Sequence, residues 1–214
     1  MNKLYITIFI TALAFIGFAQ DTSGQKSTRN MLVFGPKVGL NYSNVYDTQG
    51  DSYTTDPKLG FAGGLFLAVP IGTFSGIQPE VLFSQKGFKA QGSILGSGYS
   101  LTRTTSYIDV PIYLMLKPAP FLTVLVGPQY SYLVKQRDVF ENGTTSIAQE
   151  LEFENDNVRK NILSVTGGLD INIKHVVLGL RAGLDVSNNR GDGTSNTPRY
   201  KNSWFQATLG FRIY

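Results

Sequence analysis

The chain has 214 residues, a formal net charge of +4 and no cysteine. That length suits one domain with a sizeable core or one small barrel. The missing cysteines exclude disulfides, thiolate metal sites and a cysteine nucleophile. The mild charge, with no basic patch interleaved with aromatics, argues against nucleic acid as a partner.

Met1-Asn2-Lys3 is a basic start, Leu4 to Phe18 is apolar, and Gly17-Phe18-Ala19 offers small residues at the two positions a signal peptidase reads. Residues 1–19 therefore read as a signal peptide, and losing Lys3 with it takes the charge from +4 to +3. The apolar run is shorter than the ~20 residues of a spanning helix. Without a cysteine at the cleavage site, a lipid-anchored lipoprotein is excluded. Residues 20–30 are small and polar, a flexible lead-in to a single domain over 31–214. No later apolar run reaches ~18 residues, so the mature chain crosses a membrane as a barrel or not at all.

From Met31 the hydrophobic period is two, the mark of a half-buried strand. Leu32, Phe34, Pro36, Val38, Leu40 and Tyr42 share one phase, and Val33, Gly35, Lys37, Gly39 and Asn41 the other. The same alternation returns over 61–69, 77–86, 107–117, 122–132, 163–173, 177–186 and 205–214. That predicts about eight strands, the smallest common size for a membrane barrel. The connections Ile71-Gly72-Thr73, Lys117 to Pro120 and Lys174-His175 are tight turns. Ser43 to Lys58, Ala90 to Thr102, Gln136 to Lys160 and Asn188 to Asn202 read as long polar loops. Short turns at one end and long loops at the other is the asymmetry of an outer-membrane barrel, with both termini on the periplasmic side.

A soluble, lipocalin-like barrel would point its apolar phase inward. Size argues the other way, because eight strands leave room only for the inward side chains. The apolar phase is filled with Leu, Ile, Val, Phe and Tyr, while the other is rich in glycine and carries charges of both signs. Lys37, Lys86, Lys117, Arg181 and Arg212 face Glu80, Asp109, Asp170 and Asp185. On a lipid face each mid-depth Lys or Arg would cost about 2–4 kcal/mol. Inside, the charges can pair across the lumen, which offsets their desolvation. The expected fold is an eight-stranded antiparallel up-and-down transmembrane barrel with these nine residues as a luminal charge network.

Several runs resemble one family. Gly35-Pro36-Lys37-Val38-Gly39-Leu40-Asn41, Gln78-Pro79-Glu80-Val81-Leu82-Phe83-Ser84-Gln85-Lys86-Gly87, Tyr107-Ile108-Asp109-Val110-Pro111-Ile112, Gly127-Pro128 and Gly210-Phe211-Arg212 resemble the PorT-type outer-membrane β-barrel proteins of Bacteroidetes. Asp109 stands where that family usually has Glu. The resemblance implies an eight-stranded outer-membrane barrel. The family's namesake is associated with the type IX secretion machinery, but no residue here marks that role. Barrel-assembly signals usually end on an outward aromatic, whereas Tyr214 falls in the luminal phase and Ile213 in the outward one. Insertion by the usual barrel-assembly machinery is still expected.

No catalytic constellation emerges. His175, the only histidine, sits in a short turn, away from the outer rim where a lipid-modifying enzyme needs its His and Ser. The carboxylates at 80, 109, 170 and 185 read as luminal ion pairs rather than an acid–base pair. Gly92 to Gly98 lacks the Lys-Ser and helix of a phosphate cradle. The acidic stretch with Glu141, Glu150, Glu152, Glu154 and Asp156 reads as a solvated surface loop rather than a weak divalent-cation site, and the Asp/Asn-rich Asp185 to Asn196 lacks a full calcium ligand set. Arg190-Gly191-Asp192 is a surface-loop contact candidate of the kind that mediates adhesion. The expectation is a non-enzymatic outer-membrane barrel without cofactor or metal. Its partners would be outer-membrane lipid and, through its surface loops, an envelope or secretion-complex protein. A lipid-modifying enzyme, a narrow pore or small-ligand transporter, and a soluble periplasmic binding barrel are the alternatives.

Overall fold

A computed structural model describes residues 30–49, 54–94, 97–142, 145–151, 158–190 and 199–214. The signal peptide, nearly all of the lead-in, and Gly191 and Asp192 of the loop triplet lie outside those residues.

The described residues form nine strands in chain order: β1 (Val33–Gln49), β2 (Thr54–Pro70), β3 (Ser75–Ile94), β4 (Ser97–Ala119), β5 (Leu122–Asn142), β6 (Thr145–Leu151), β7 (Asn161–Ile173), β8 (Val176–Asp185) and β9 (Arg199–Phe211). All pairings are antiparallel. β9 returns to β1 and β5 pairs with both β4 and β7, so eight strands close a barrel in sequence order and β6 hangs from β5 as a hairpin arm. Closure leaves the barrel wall no free edge in lipid, where an unpaired backbone group is costly.

The strands are longer than the hydrophobic alternation indicates. β1 runs on to Gln49, β3 to Ile94 and β5 to Asn142, and β6 lies wholly inside the segment expected to be loop. The cause is physical. Beyond the lipid both faces of a strand meet water, so the apolar signal of period two stops while the hydrogen-bonded ladder does not. The turn between β4 and β5 is also tighter than expected, being only Pro120-Phe121.

Of the seven prolines in the described strands, Pro36, Pro79, Pro111 and Pro128 each coincide with a lapse in one ladder. The β1–β9 register skips Gly35-Pro36, and β2–β3 skips Leu67-Ala68 opposite Pro79. The β3–β4 register skips Glu80-Val81 opposite Pro111, and β4–β5 skips Ile112-Tyr113 opposite Pro128. A proline has no N–H to give, so each lapse falls on the side where that donor is missing.

The phase assignment holds on every barrel strand. Val38, Leu40, Leu65, Val81, Ile112, Val126, Val165, Leu180 and Leu209 are exposed on the outer face. Phe34, Phe74, Phe121 and Phe211 mark this apolar band near the short turns, and Tyr42, Phe61, Phe83, Tyr130, Tyr132 and Phe205 mark it toward the long loops. An apolar band between two aromatic girdles is the exterior a bilayer selects. A soluble barrel with its apolar phase inward is ruled out by the same exposure.

Candidate functional site in the lumen

Inward side chains fill the lumen in layers. Nearest the short turns, Val33, Phe66, Ala68, Tyr113, Met115, Leu125 and Val177 form an apolar floor. Above it lies a four-residue ion-pair cluster. Lys37 Nζ on β1 lies 2.6 Å from Glu80 Oε1 on β3, and Arg181 Nη2 on β8 lies 3.5 Å from the same oxygen. Arg181 Nη1 lies 2.7 Å from Asp170 Oδ1 on β7. Gln78 Nε2 donates to Glu80 Oε1 at 2.9 Å and to Asp170 Oδ2 at 3.3 Å, tying the two acids together. The cations also rest on the floor's rings, Lys37 over Phe66 and Arg181 over Tyr113.

The next layer is a second, separate cluster. Lys86 Nζ lies 3.1 Å from Asp109 Oδ2 and 3.8 Å from the centre of the Trp204 ring, with Tyr107 on another side. Trp204 fits there because Gly183, its partner on β8, has no side chain; a Cβ at that position would strike the indole. Asn41 bridges β1 to β3 through Ser84 at 2.8 Å and accepts from Gln206 Nε2 at 2.9 Å. Among the described residues Asp185 has no ion pair. It accepts from Ser164 Oγ at 2.7 Å, Asn202 Nδ2 at 2.6 Å and Asn202 N at 3.1 Å.

Toward the long loops, Val45, Phe88, Ala90 and Tyr200 cluster under a fork-shaped clamp, in which Arg103 Nε and Nη2 donate to the two oxygens of Asp138 at 2.8 and 2.7 Å. Sequence reasoning did not single out this pair, because it lies beyond the apolar band, in stretches where no alternation shows which way a residue points. The neutral hydrogen-bonding residues Gln78, Asn41, Asn202 and Gln206 also went unpredicted. For Asn41, Gln78 and Gln206 the inward phase was the one signal, whereas Asn202 fell in a stretch expected to be loop and β9 begins earlier, at Arg199.

Of the nine expected luminal charges, the structure brings Lys37, Glu80, Asp170 and Arg181 together, pairs Lys86 with Asp109, and places Asp185 among neutral donors. Lys117 and Arg212 instead line a small cavity of about 40 Å³ at the short-turn mouth, with Asp170, Gln78, Thr123 and Asn172. Arg212 Nη1 donates to Lys174 O at 3.4 Å, and its guanidinium lies over the Tyr214 ring. Tyr214 is not luminal. β9 ends at Phe211, so the alternation no longer governs it; its ring is exposed and its hydroxyl donates to Lys174 O. His175 stacks on Phe211, and its Nδ1 lies 3.1 Å from Arg212 O, fastening the β7–β8 turn to the end of β9. Arg190 is at the opposite end, where Arg159 Nε donates to its carbonyl at 2.7 Å.

A family profile described as outer membrane protein beta-barrel domain matches residues 18–191. No curated sequence matches the chain. Among solved structures, the attachment invasion locus protein Ail of Yersinia pestis is similar with a TM-score of 0.50 at 15% identity, over 85% of this chain and 98% of Ail. Neisserial surface protein A follows with a TM-score of 0.45 at 10% identity, over 85% and 97% of the two chains. OprG of Pseudomonas aeruginosa has a TM-score of 0.41 at 10% identity, over 86% and 95%. At 15% identity the likeness to Ail is one of fold. With the profile spanning most of the chain, this protein belongs to the outer membrane protein beta-barrel domain family and is an integral barrel of the outer membrane.

Proposed function

We propose that this barrel is a non-enzymatic scaffold of the PorT type. It anchors in the outer membrane with both termini in the periplasm and presents the long-loop end, including the β5–β6 arm, to an envelope or secretion partner outside the cell. The observation that carries this reading is the filled lumen. Cations and anions from β1, β3, β4, β7 and β8 pair across it between an apolar floor and the Arg103–Asp138 clamp. A lumen packed and paired in this way supports a rigid support for loops, where binding function usually resides, over a solute path. The same filling disfavours a luminal active site, since a substrate would have to displace buried ion pairs.

The test has two parts. An epitope tag placed between β5 and β6 should be labelled on intact cells, and the purified protein should show no conductance steps in planar bilayers. Labelling only after permeabilisation overturns the orientation, and stepwise conductance overturns the scaffold reading in favour of a pore.

A further inference from the structure

The outward phase changes character at one height on three neighbouring strands. On β3, Phe83 gives way to Gln85, Gly87 and Lys89; on β4, Ile108 gives way to Ser106, Thr104 and Thr102; on β5, Tyr132 and Val134 give way to Lys135 and Arg137. The register sets Lys89 beside Thr102, Arg137 beside Thr104 and Lys135 beside Ser106. Lys89 and Arg137 thus flank two threonines from either side, offset by two strands and two residues, or about 12 Å between their Cα atoms. Both long side chains can reach one group seated over the threonines.

Lys89 and Arg137 are exposed, and among the described residues neither makes an ion pair, although the register sets Asp56 opposite Lys89 and Glu150 opposite Arg137. At the β2 bulge, burial first and the charge of Lys89 second hold the Lys58 ammonium below the usual lysine range. Asp56, beside Lys89 on β2, accepts from Gln91 Nε2 at 3.3 Å. Tilted strands rise about 2.5 Å per residue along the barrel axis, so Lys135, Arg137 and Lys89 stand about 7–15 Å beyond the last outward aromatics. That is the headgroup layer of a bilayer bounded by this girdle. On the opposite wall at similar height the outward residues include Val186 and Tyr46, with Lys201 lying over the Tyr46 ring.

We infer that this basic, hydroxyl-lined face of β3–β5 binds the phosphate groups of an anionic outer-leaflet glycolipid. Lys89 supplies a point charge, Arg137 a planar fork suited to two phosphate oxygens, and Thr102 and Thr104 supply hydroxyl donors between them. The glycolipid is favoured over a soluble anion because the site is continuous with the lipid-facing band. This inference rests on the reading that the long-loop end faces outward.

The experiment uses the folded protein in phosphatidylcholine nanodiscs doped with bis-phosphorylated lipid A, dephosphorylated lipid A or phosphatidylglycerol, with retained lipid counted by native mass spectrometry. Bis-phosphorylated lipid A should be retained preferentially, and the K89Q/R137Q variant should retain at least about tenfold less while its unfolding in plain phosphatidylcholine is unchanged. Equal retention by the variant, or of the dephosphorylated lipid, overturns the site. Equal retention of phosphatidylglycerol overturns the glycolipid assignment. Nanodiscs expose both ends of the barrel, so phosphate binding together with a tag hidden on intact cells overturns the orientation, and with it the outer-leaflet source, rather than the phosphate contact.

Discussion

Glu80 on β3 and Arg181 on β8 stand on diametrically opposed strands, and their side chains meet at 3.5 Å in the middle of the lumen. With Lys37 on the other flank of Glu80 and Asp170 holding Arg181, one polar cluster ties four strands together across the barrel's interior. Backbone ladders join only neighbours. The Lys37–Glu80 and Arg181–Glu80 pairs join strands that share no ladder.

Arg181→Leu leaves Asp170 buried without its cation, with side-chain exposure of 5%. Removing one member of a buried ion pair should destabilise the barrel by about 3–5 kcal/mol. Urea unfolding in lipid vesicles, followed by Trp204 emission, measures the loss. The double variant Asp170→Asn, Arg181→Met keeps the Lys37–Glu80 pair and should recover a large part of it, because replacing both charges leaves none stranded. A single variant as stable as the parent would mean that the cluster contributes nothing.

Gly183→Val should force the Trp204 indole from its seat, since even a Cβ at 183 would overlap the ring. Overpacking of this kind costs about 1–3 kcal/mol. It should also raise the acrylamide quenching of Trp204, which is 3% exposed in the parent. Unchanged quenching would place the indole elsewhere.

Asp138→Asn weakens the clamp on Arg103 at the long-loop end. Because this pair lies beyond the apolar band, the effect should be local opening rather than global unfolding. Hydrogen exchange should quicken at Arg103 to Thr105 on β4 and stay unchanged at Val110 to Leu116 on the same strand. Uniform acceleration along β4 would show that the clamp supports the whole wall.

How far the fold could be read in advance follows from what lipid selects. Within the bilayer every outward residue must be apolar, so Val38, Leu65, Val81, Ile112 and Leu180 announced both the strands and their faces. Beyond it that constraint lapses: Lys89, Thr104 and Arg137 are strand residues with no apolar rhythm to reveal them, and β6 could not be anticipated. Which residues are luminal was legible for the same reason, since Lys37, Glu80, Lys86, Asp109, Asp170, Arg181 and Asp185 all fall in the buried phase. Which cation meets which anion was not. Partners such as Glu80 and Arg181, 101 residues apart, are chosen by the stagger of the closed sheet, and no local pattern encodes that stagger. Arg212 and Tyr214 show the limit at the chain's end, where the strand stops and phase ceases to predict direction.

The central claim is that the charged phase faces the lumen and the apolar phase faces lipid. Neighbouring positions 204 and 205 test it most directly, because Trp204 is buried and Phe205 is 68% exposed. The protein holds one tryptophan, so the parent reports on position 204 and the variant Trp204→Phe, Phe205→Trp reports on 205. In vesicles of brominated phosphatidylcholine, emission from 205 should be strongly quenched and emission from 204 nearly untouched. Strong quenching at 204 with none at 205 would turn the barrel inside out and contradict the account.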